Sequence, residues 1–394
     1  MTFTIGLDLS ALDQGFKSHA YRGIGRYVRE LSRHLLEMDD QGLKILPFDH
    51  THYRLPGTMD RLLQAVPAGR QTLRQQIAYP LQLSTVARGK FNALHFPAHM
   101  DAPTWCAIPC IVTVLDLIPL VCADLYKAER PGWRYALARG LENRAIRNAK
   151  LLFAISENTA RDVVRVLGIP RERIVVTPLG VDDRFFADPG DVDEVALRKS
   201  LGLPPERPIV VYVGGLDPRK NSALMLKAFR EVAAAARLAR RAPPVLAMVG
   251  RYTEERGYPH FLRTVAELGL GPDVVETGFL EDAALLKLFR IAALFFFPSL
   301  YEGFGLPPLE AMAAGVPVVS SRASAMAETV GDAALTFDPA SVDEAVAAML
   351  AVLENREVAQ RLRDAGPAQA RRYTWRRTAE ATFAGYKRFQ GERS

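Results

Sequence analysis

One stretch constrains this chain more than any other: residues 295–319, FFFPSLYEGFGLPPLEAMAAGVPVV. Leu294–Phe297 is apolar without alternation, as a short buried strand is. A glycine-punctuated loop, Ser299–Leu306, follows. A helix is expected to open at Pro307-Pro308 and stop at Gly315. Proline's missing N–H costs nothing in the first helical turn, and glycine suits the residue just past the end. A second apolar strand, Val316–Ser320, closes the unit.

The chemistry of that loop points to an anion. Gly303 and Gly305 have no Cβ, so backbone can approach a ligand there. The following helix aims the positive end of its dipole at whatever stands before it. Two carboxylates, Glu302 and Glu310, bracket the site with seven residues between them. Carboxylates are poor neighbours for phosphate, so both are expected to accept hydrogen bonds from sugar or ribose hydroxyls. The alternative for Glu310 is an acidic side chain that merely complements the helix dipole.

Glu302-Gly-Phe-Gly-Leu-Pro-Pro-Leu-Glu310 resembles the E-x7-E signature of retaining glycosyltransferases of the GT-B fold, specifically glycosyltransferase family 4. The flanking Pro298-Ser299, Ala311–Gly315 and Pro317-Val-Val match as well, and a weaker likeness runs over nearly the whole chain. The resemblance implies an α/β chain of two Rossmann-like domains facing a central cleft, with a C-terminal helix crossing back to the first domain. It implies that Glu310 holds the ribose, that Glu302 faces the donor sugar, and that Gly303, Phe304, Gly305 and Leu306 bind the donor.

At 394 residues the chain exceeds what one core organises. The expected division is 1–186 as an N-terminal acceptor-side domain, 187–373 as a donor domain and 374–394 as the returning helix. Charged content of 24% and hydrophobic content of 49% describe a globular protein. The net charge of +6 permits attraction to phosphates or an anionic membrane surface, and nucleic acid is not an expected partner. The first residues show no basic-then-apolar leader. The longest apolar run, Ile291–Leu300, is too short to cross a bilayer. Cys106, Cys110 and Cys122 fit neither a disulfide framework nor a zinc pattern, and read as small buried residues in a reducing compartment. The expected location is cytoplasmic, with a peripheral place on the inner face of the membrane.

Two strand–glycine–helix openings suggest two Rossmann-like halves. The first is Thr2–Leu9, then Tyr21-Arg-Gly-Ile-Gly-Arg26, then a helix over Tyr27–Met38. By the resemblance its loop lies near the donor diphosphate, through Gly23 and Gly25 with Arg22 or Arg26 beside them. The second is Ile209–Gly214, the loop Gly215–Asn221 and a helix over Ser222–Ala236. Adjacent cations, Arg219 and Lys220, can neutralise a diphosphate, one as a fork and one as a point charge. Pro218-Arg-Lys-Asn221 resembles the family's diphosphate-binding element. Arg251 stands just past a strand at Val245–Gly250 and is taken as donor-side. The backbone at Phe279 and Leu280 is where the family holds the nucleotide base.

Strand ends in parallel sheets are where ligands bind, which makes His99 and Asp116 candidates. The alternative for His99 is a hydrogen-bonded structural imidazole. Many family members carry histidine where Leu115 stands here, and His99 is the residue placed to substitute for it at the sugar or acceptor. The stretch 50–75 is irregular and basic. Over 127–152 a basic helical region sets Trp133, Leu137, Leu141 and Ala145 on one stripe, which suits either core packing or contact with an anionic membrane.

The expected activity is hexosyl transfer from a nucleotide-diphosphate sugar to a saccharide or lipid-linked saccharide, with mannose the sugar the resemblance suggests. Arg219, Lys220, Glu302 and Asp116 are the catalytic candidates. No metal and no other cofactor is expected. The rival readings are a non-catalytic nucleotide-sugar-binding or partner protein of the same fold, and a nucleotide-sugar epimerase.

Overall fold

The computed structural model describes residues 2–12, 23–38, 40–49, 79–129 and 132–393. Arg22 and the stretch 50–75 lie outside them. The chain divides into two compact units, one from residues 1–180 with 375–394 and one from 181–374.

The first unit carries a parallel sheet of β1 (Phe3–Asp8), β2 (Leu43–Phe48), β3 (Ala93–Phe96), β4 (Cys110–Val114), β5 (Leu151–Ala154) and β6 (Ile174–Val176). Its order is β2-β1-β3-β4-β5-β6. β3 and β5 are buried along their whole length, which is why they lack polar alternation. Ser156 opens the helix Glu157–Leu167 as its cap, its hydroxyl accepting from the Thr159 amide at 2.9 Å. The last helix, Trp375–Gly391, returns to this unit and packs on the helix Gly23–Leu36. It presses closely on β5: a Cβ at Gly385 would stand 2.5 Å from the Phe153 ring.

A polar chain runs through this core. His95 on β3 bonds Tyr386 of the last helix at 2.5 Å through Nδ1, and Thr113 on β4 at 2.9 Å through Nε2. Tyr27 reaches the same Thr113 hydroxyl at 3.1 Å. Every member is buried. Each polar atom is therefore satisfied without water, and two helices are pinned to the sheet.

The second unit carries β7 (Ile209–Val213), β8 (Val245–Val249), β9 (Val274–Gly278), β10 (Leu294–Phe297), β11 (Val318–Ser321) and β12 (Leu335–Phe337). The order is β12-β11-β10-β7-β8-β9, all parallel where paired. Read from β9, this is the doubly wound order 3-2-1-4-5-6, with its switch point between β7 and β10. β10 explains its own sequence. Phe296 stacks on Phe337 at 5.4 Å on one face, while Phe295 meets Phe289 edge-on at 5.9 Å on the other.

Three expectations need correction. Gly23 and Gly25 are not in a loop, because the helix begins at Gly23 and neither has positive φ. Glycine's weak helix propensity is overridden by the packing of Tyr27, Val28, Leu31 and Leu35. The region 127–152 is not one helix. A 3-10 segment ends at Glu129, a helix runs Trp133–Asn148, and β5 starts at Leu151. Its apolar stripe does not form one buried face either: Trp133 is 72% and Leu137 51% exposed, while Ala145 is buried. The cysteines are not uniformly buried: Cys106 and Cys110 are half-buried and only Cys122 is fully enclosed. The helices Tyr79–Val86 and Tyr258–Glu267 were not expected.

Candidate active site

The switch point of the second sheet assembles the cations and one carboxylate. Pro218–Lys220 forms a 3-10 turn after β7, capped by Asp217, whose side chain accepts from the Arg219 amide at 3.0 Å. Asn221 then takes a left-handed conformation, φ 58°. Asparagine tolerates this better than most residues. Its side-chain amide donates to the carbonyls of Pro298 at 3.2 Å and Pro339 at 2.9 Å. The Leu300 amide donates to the Arg219 carbonyl at 2.7 Å. The loops after β7 and β10 are thus tied into one piece.

On that piece Glu302 bridges both cations. One oxygen is 2.7 Å from Lys220 Nζ and the other 2.9 Å from Arg219 Nη1. The Glu302 amide donates to Ser324 Oγ at 2.8 Å, and Ser324 is itself held at φ 53°. Lys220 Nζ also sits 4.8 Å from the Phe297 ring centroid. Lys220 and Glu302 are each buried. Burial alone would raise the Glu302 pKa, but Lys220 and Arg219 outweigh it and hold the carboxyl below its ordinary value. Burial lowers the Lys220 pKa in spite of Glu302. Sequence reasoning turned Glu302 toward a sugar and missed that both its oxygens are engaged by the cations.

The loop runs on through Gly303, Phe304 and Gly305 into the helix Leu306–Ala313. It opens one residue earlier than expected. Gly305 has φ 111°, and a Cβ there would lie 1.9 Å from the Met326 methyl. Phe304 is fixed by Thr329, whose hydroxyl donates to its carbonyl at 2.8 Å, and by an edge contact with Tyr373. Pro307 and Pro308 have no N–H, so the backbone donors of this turn come from Gly303 to Leu306. Glu310 is buried in the helix. Arg251 lies 4.9 Å over the half-exposed Phe279 ring, and Leu280 follows it past β9. Tyr212 and Glu255 brace the loop after β7, through the Gly215 carbonyl and the Leu216 amide. Neither was singled out from the sequence.

In the first unit, His99 and Asp116 follow β3 and β4. His99 Nδ1 accepts from the Leu115 amide at 3.4 Å. Burial, with Arg139 nearby, pushes its pKa down to about 4, so the imidazole is neutral with its proton on Nε2. Asp116 accepts from the Ile118 amide at 3.0 Å. Gly23 and Gly25 open the helix that follows β1. His95, on β3, belongs to the core.

A doubly wound sheet with phosphate-grade cations at its switch point defines a nucleotide-handling α/β protein. The sequence profile of "Glycosyltransferase Family 4" matches residues 21–185, and that of "Glycosyl transferases group 1" matches residues 193–369. The chain belongs to glycosyltransferase family 4 and has the GT-B fold. It is similar to O-antigen chain mannosyltransferase B of Escherichia coli, at 29% identity over 70% of each chain. It is also similar to the serotype-specific mannosyltransferase WbdA of Escherichia coli, at 30% identity over 69% of this chain and 32% of that longer one. Among solved structures, Anabaena HepE in complex with UDP and glucose shares the fold with TM-score 0.69 and 17% identity, over 98% of this chain and 99% of that one.

Proposed function

We propose that this glycosyltransferase moves a mannosyl residue, with retention, from a nucleotide-diphosphate mannose to a saccharide or lipid-linked saccharide of a surface polysaccharide. The observation that carries the reading is the Arg219–Lys220–Glu302 cluster at the switch point of the second sheet, with Lys220 and Glu302 buried. Lys220 and Arg219 share Glu302, and Arg219 also lies 3.6 Å from the half-exposed Asp217, so both cations are held in place where a sugar–diphosphate bond would break. That bond's electrons pass to the leaving diphosphate, and Arg219, Lys220 and the Gly303–Leu306 backbone stabilise the charge as it develops. Glu310 receives the ribose hydroxyls, and Arg251, Phe279 and Leu280 flank the base. The choice of mannose rests on the mannosyltransferases to which the chain is similar. Charge supplied by side chains supports transfer that needs no metal ion and no other cofactor.

His99 supports the same reading from the first unit. Its ring is hydrogen-bonded to the backbone of Leu115, so an imidazole stands beside the position where many family members carry one. We assign its Nε2–H to the sugar or acceptor, with Asp116 beside it. His99→Ala retaining full turnover would remove that role.

The experiment for the whole reading is a thermal-shift panel with GDP, UDP, ADP and dTDP on the wild type and Glu310→Ala. A nucleotide that binds only the native state raises the transition by mass action. Stabilisation by one nucleotide, lost in the variant, supports the donor site and names its base. No shift from any of them counts against it and favours a non-catalytic role.

Contact with anionic membrane through 127–152 is part of the proposal. Among the described residues no helix is long and apolar enough to cross a membrane. Exposed Trp133, Tyr135 and Leu137, followed by Arg144, Arg147 and Lys150, are the chemistry of an interfacial segment. Co-sedimentation that is equal on neutral and anionic vesicles overturns it.

A further inference from the structure

The two half-buried cysteines form a site of their own. Cys110 is the first residue of β4, at the opposite end of that strand from Leu115 and Asp116. Cys106 lies four residues earlier, and both line one cavity of about 270 Å3 with Trp105, Ile108, Asn148 and Lys150. Ser84, on the helix Tyr79–Val86, places its hydroxyl 3.8 Å from Cys106 Sγ and accepts from the Ala107 amide at 3.0 Å. The backbone of Ala107 and Ile108 also favours a negative charge on the Cys106 sulfur. The Cys110 thiol has one proton and two acceptors, the Ile108 carbonyl at 3.6 Å and the Cys106 sulfur.

These groups all favour an anionic Cys106. Hydrogen bonding from Cys110 leads, the backbone and Ser84 add to it, and together they bring the Cys106 thiol down to about 6 against the opposing effect of burial. Cys110 is raised by its neighbour and by burial, and stays a thiol. One member is thus a nucleophile and the other holds a proton, the division of labour an attacking and a resolving cysteine require. The third cysteine, Cys122, is buried apart from them.

From this cluster we propose that Cys106 and Cys110 are an oxidisable dithiol at which a hydroperoxide closes an intrachain disulfide. The Cys106 thiolate attacks one peroxide oxygen and the O–O bond breaks. The second oxygen leaves as an alkoxide or hydroxide and takes a proton from solvent, giving Cys106 sulfenic acid and ROH. The Cys110 sulfur then attacks the sulfenic sulfur. Its own proton and the sulfenic OH leave as water, and the S–S bond forms. Two thiols are oxidised and one hydroperoxide is reduced.

The full-length wild-type protein carries the test. At pH 7 Cys106 has roughly thirtyfold more thiolate than an ordinary thiol, and its lower intrinsic nucleophilicity takes back about tenfold. Native alkylation with iodoacetamide is therefore expected to be about threefold faster at Cys106 than at a free cysteine peptide, and slower at Cys122 than at that peptide. Stoichiometric hydrogen peroxide is expected to remove two of the three free thiols and link the 106 and 110 peptides in a non-reducing digest. Cys110→Ser is expected to leave a Cys106 sulfenic acid that dimedone traps, and Cys106→Ser to give neither product. Cys122 alkylated as fast as Cys106, a link between two chains, or peroxide oxidation with Cys110 still free would each overturn the proposal.

Discussion

At the scale of single residues, Lys220 and His95 show what a buried titratable group does in each half of the chain. Lys220 is enclosed, paired to Glu302 and placed against Phe297. Its ammonium is pre-positioned, with no reorganisation left for the moment when negative charge develops. Lys220→Ala is expected to lower kcat by about two to three orders of magnitude, the cost of losing one such donor. A steady-state assay in which the variant turns over like wild type would sink the assignment. His95 makes a pH prediction. Burial pushes its pKa from 6.5 to about 3, so the folded chain binds the proton less readily than the unfolded chain. Stability is full above pH 6.5 and declines as pH falls toward 3, by about 1.4 kcal/mol per pH unit for one such group. His99 adds in the same direction down to about 4. Urea midpoints measured from pH 7 to 4.5 are expected to fall more steeply in wild type than in His95→Gln. The sequence identifies both cations, and it could not identify their carboxylate partner. Glu302 is 82 residues from Lys220, and no periodicity links residues at that distance. His95 and Tyr386, 291 residues apart, are the same case.

At the scale of elements, the strands were the most legible part and the loops between them the least. β7 and β8 fall where unbroken apolar runs place them, and β10 is marked by its three phenylalanines. Such strands are buried on both faces, so composition alone marks them. The helix Tyr258–Glu267 had a readable signal that went unused: Pro259 in its first turn, then Phe261 and Val265 at i, i+4. The start at Gly23 had none, since glycine argues against a helix and only packing supplies it. What no pattern reveals is how one loop is fastened to another. Asn221 does that fastening in a conformation most residues avoid. Asn221→Gly removes its two bonds and keeps the backbone conformation. Asn221→Ala removes the bonds and adds about 1–2 kcal/mol for a left-handed non-glycine residue. Both variants are expected to weaken nucleotide binding, because the loop carrying Arg219 and Lys220 loses its anchor to β10. Alanine is expected to lower the urea midpoint further than glycine, and equal midpoints would show that φ 58° carries no strain here.

At the scale of the whole molecule, each unit has its own sheet and its own core, and the chemistry is unequally divided between them. The second unit holds the cations, the engaged carboxylate, the glycine turn and the aromatic flank of the proposed donor site. Its ligand should therefore be recognised as an anion by side chains and backbone. Among the described residues no three histidine, cysteine, aspartate or glutamate side chains gather as a metal site would need, so the test must be chemical rather than structural. Transfer from the nucleotide sugar chosen by the thermal-shift panel is expected to proceed at the same rate with excess EDTA as with added Mg2+. Nucleotide-dependent hydrogen-exchange protection is expected at Gly303, Phe304 and Leu306 and at the Arg219–Asn221 turn. These backbone groups are the ones a diphosphate engages if Arg219 and Lys220 are its counter-charge. A rate restored by Mg2+ after EDTA would mean that Arg219 and Lys220 do not suffice to neutralise the leaving group. In that case Glu302, already drawn onto both cations, would be the carboxylate to test as a metal ligand, by asking whether Glu302→Gln abolishes the Mg2+ effect.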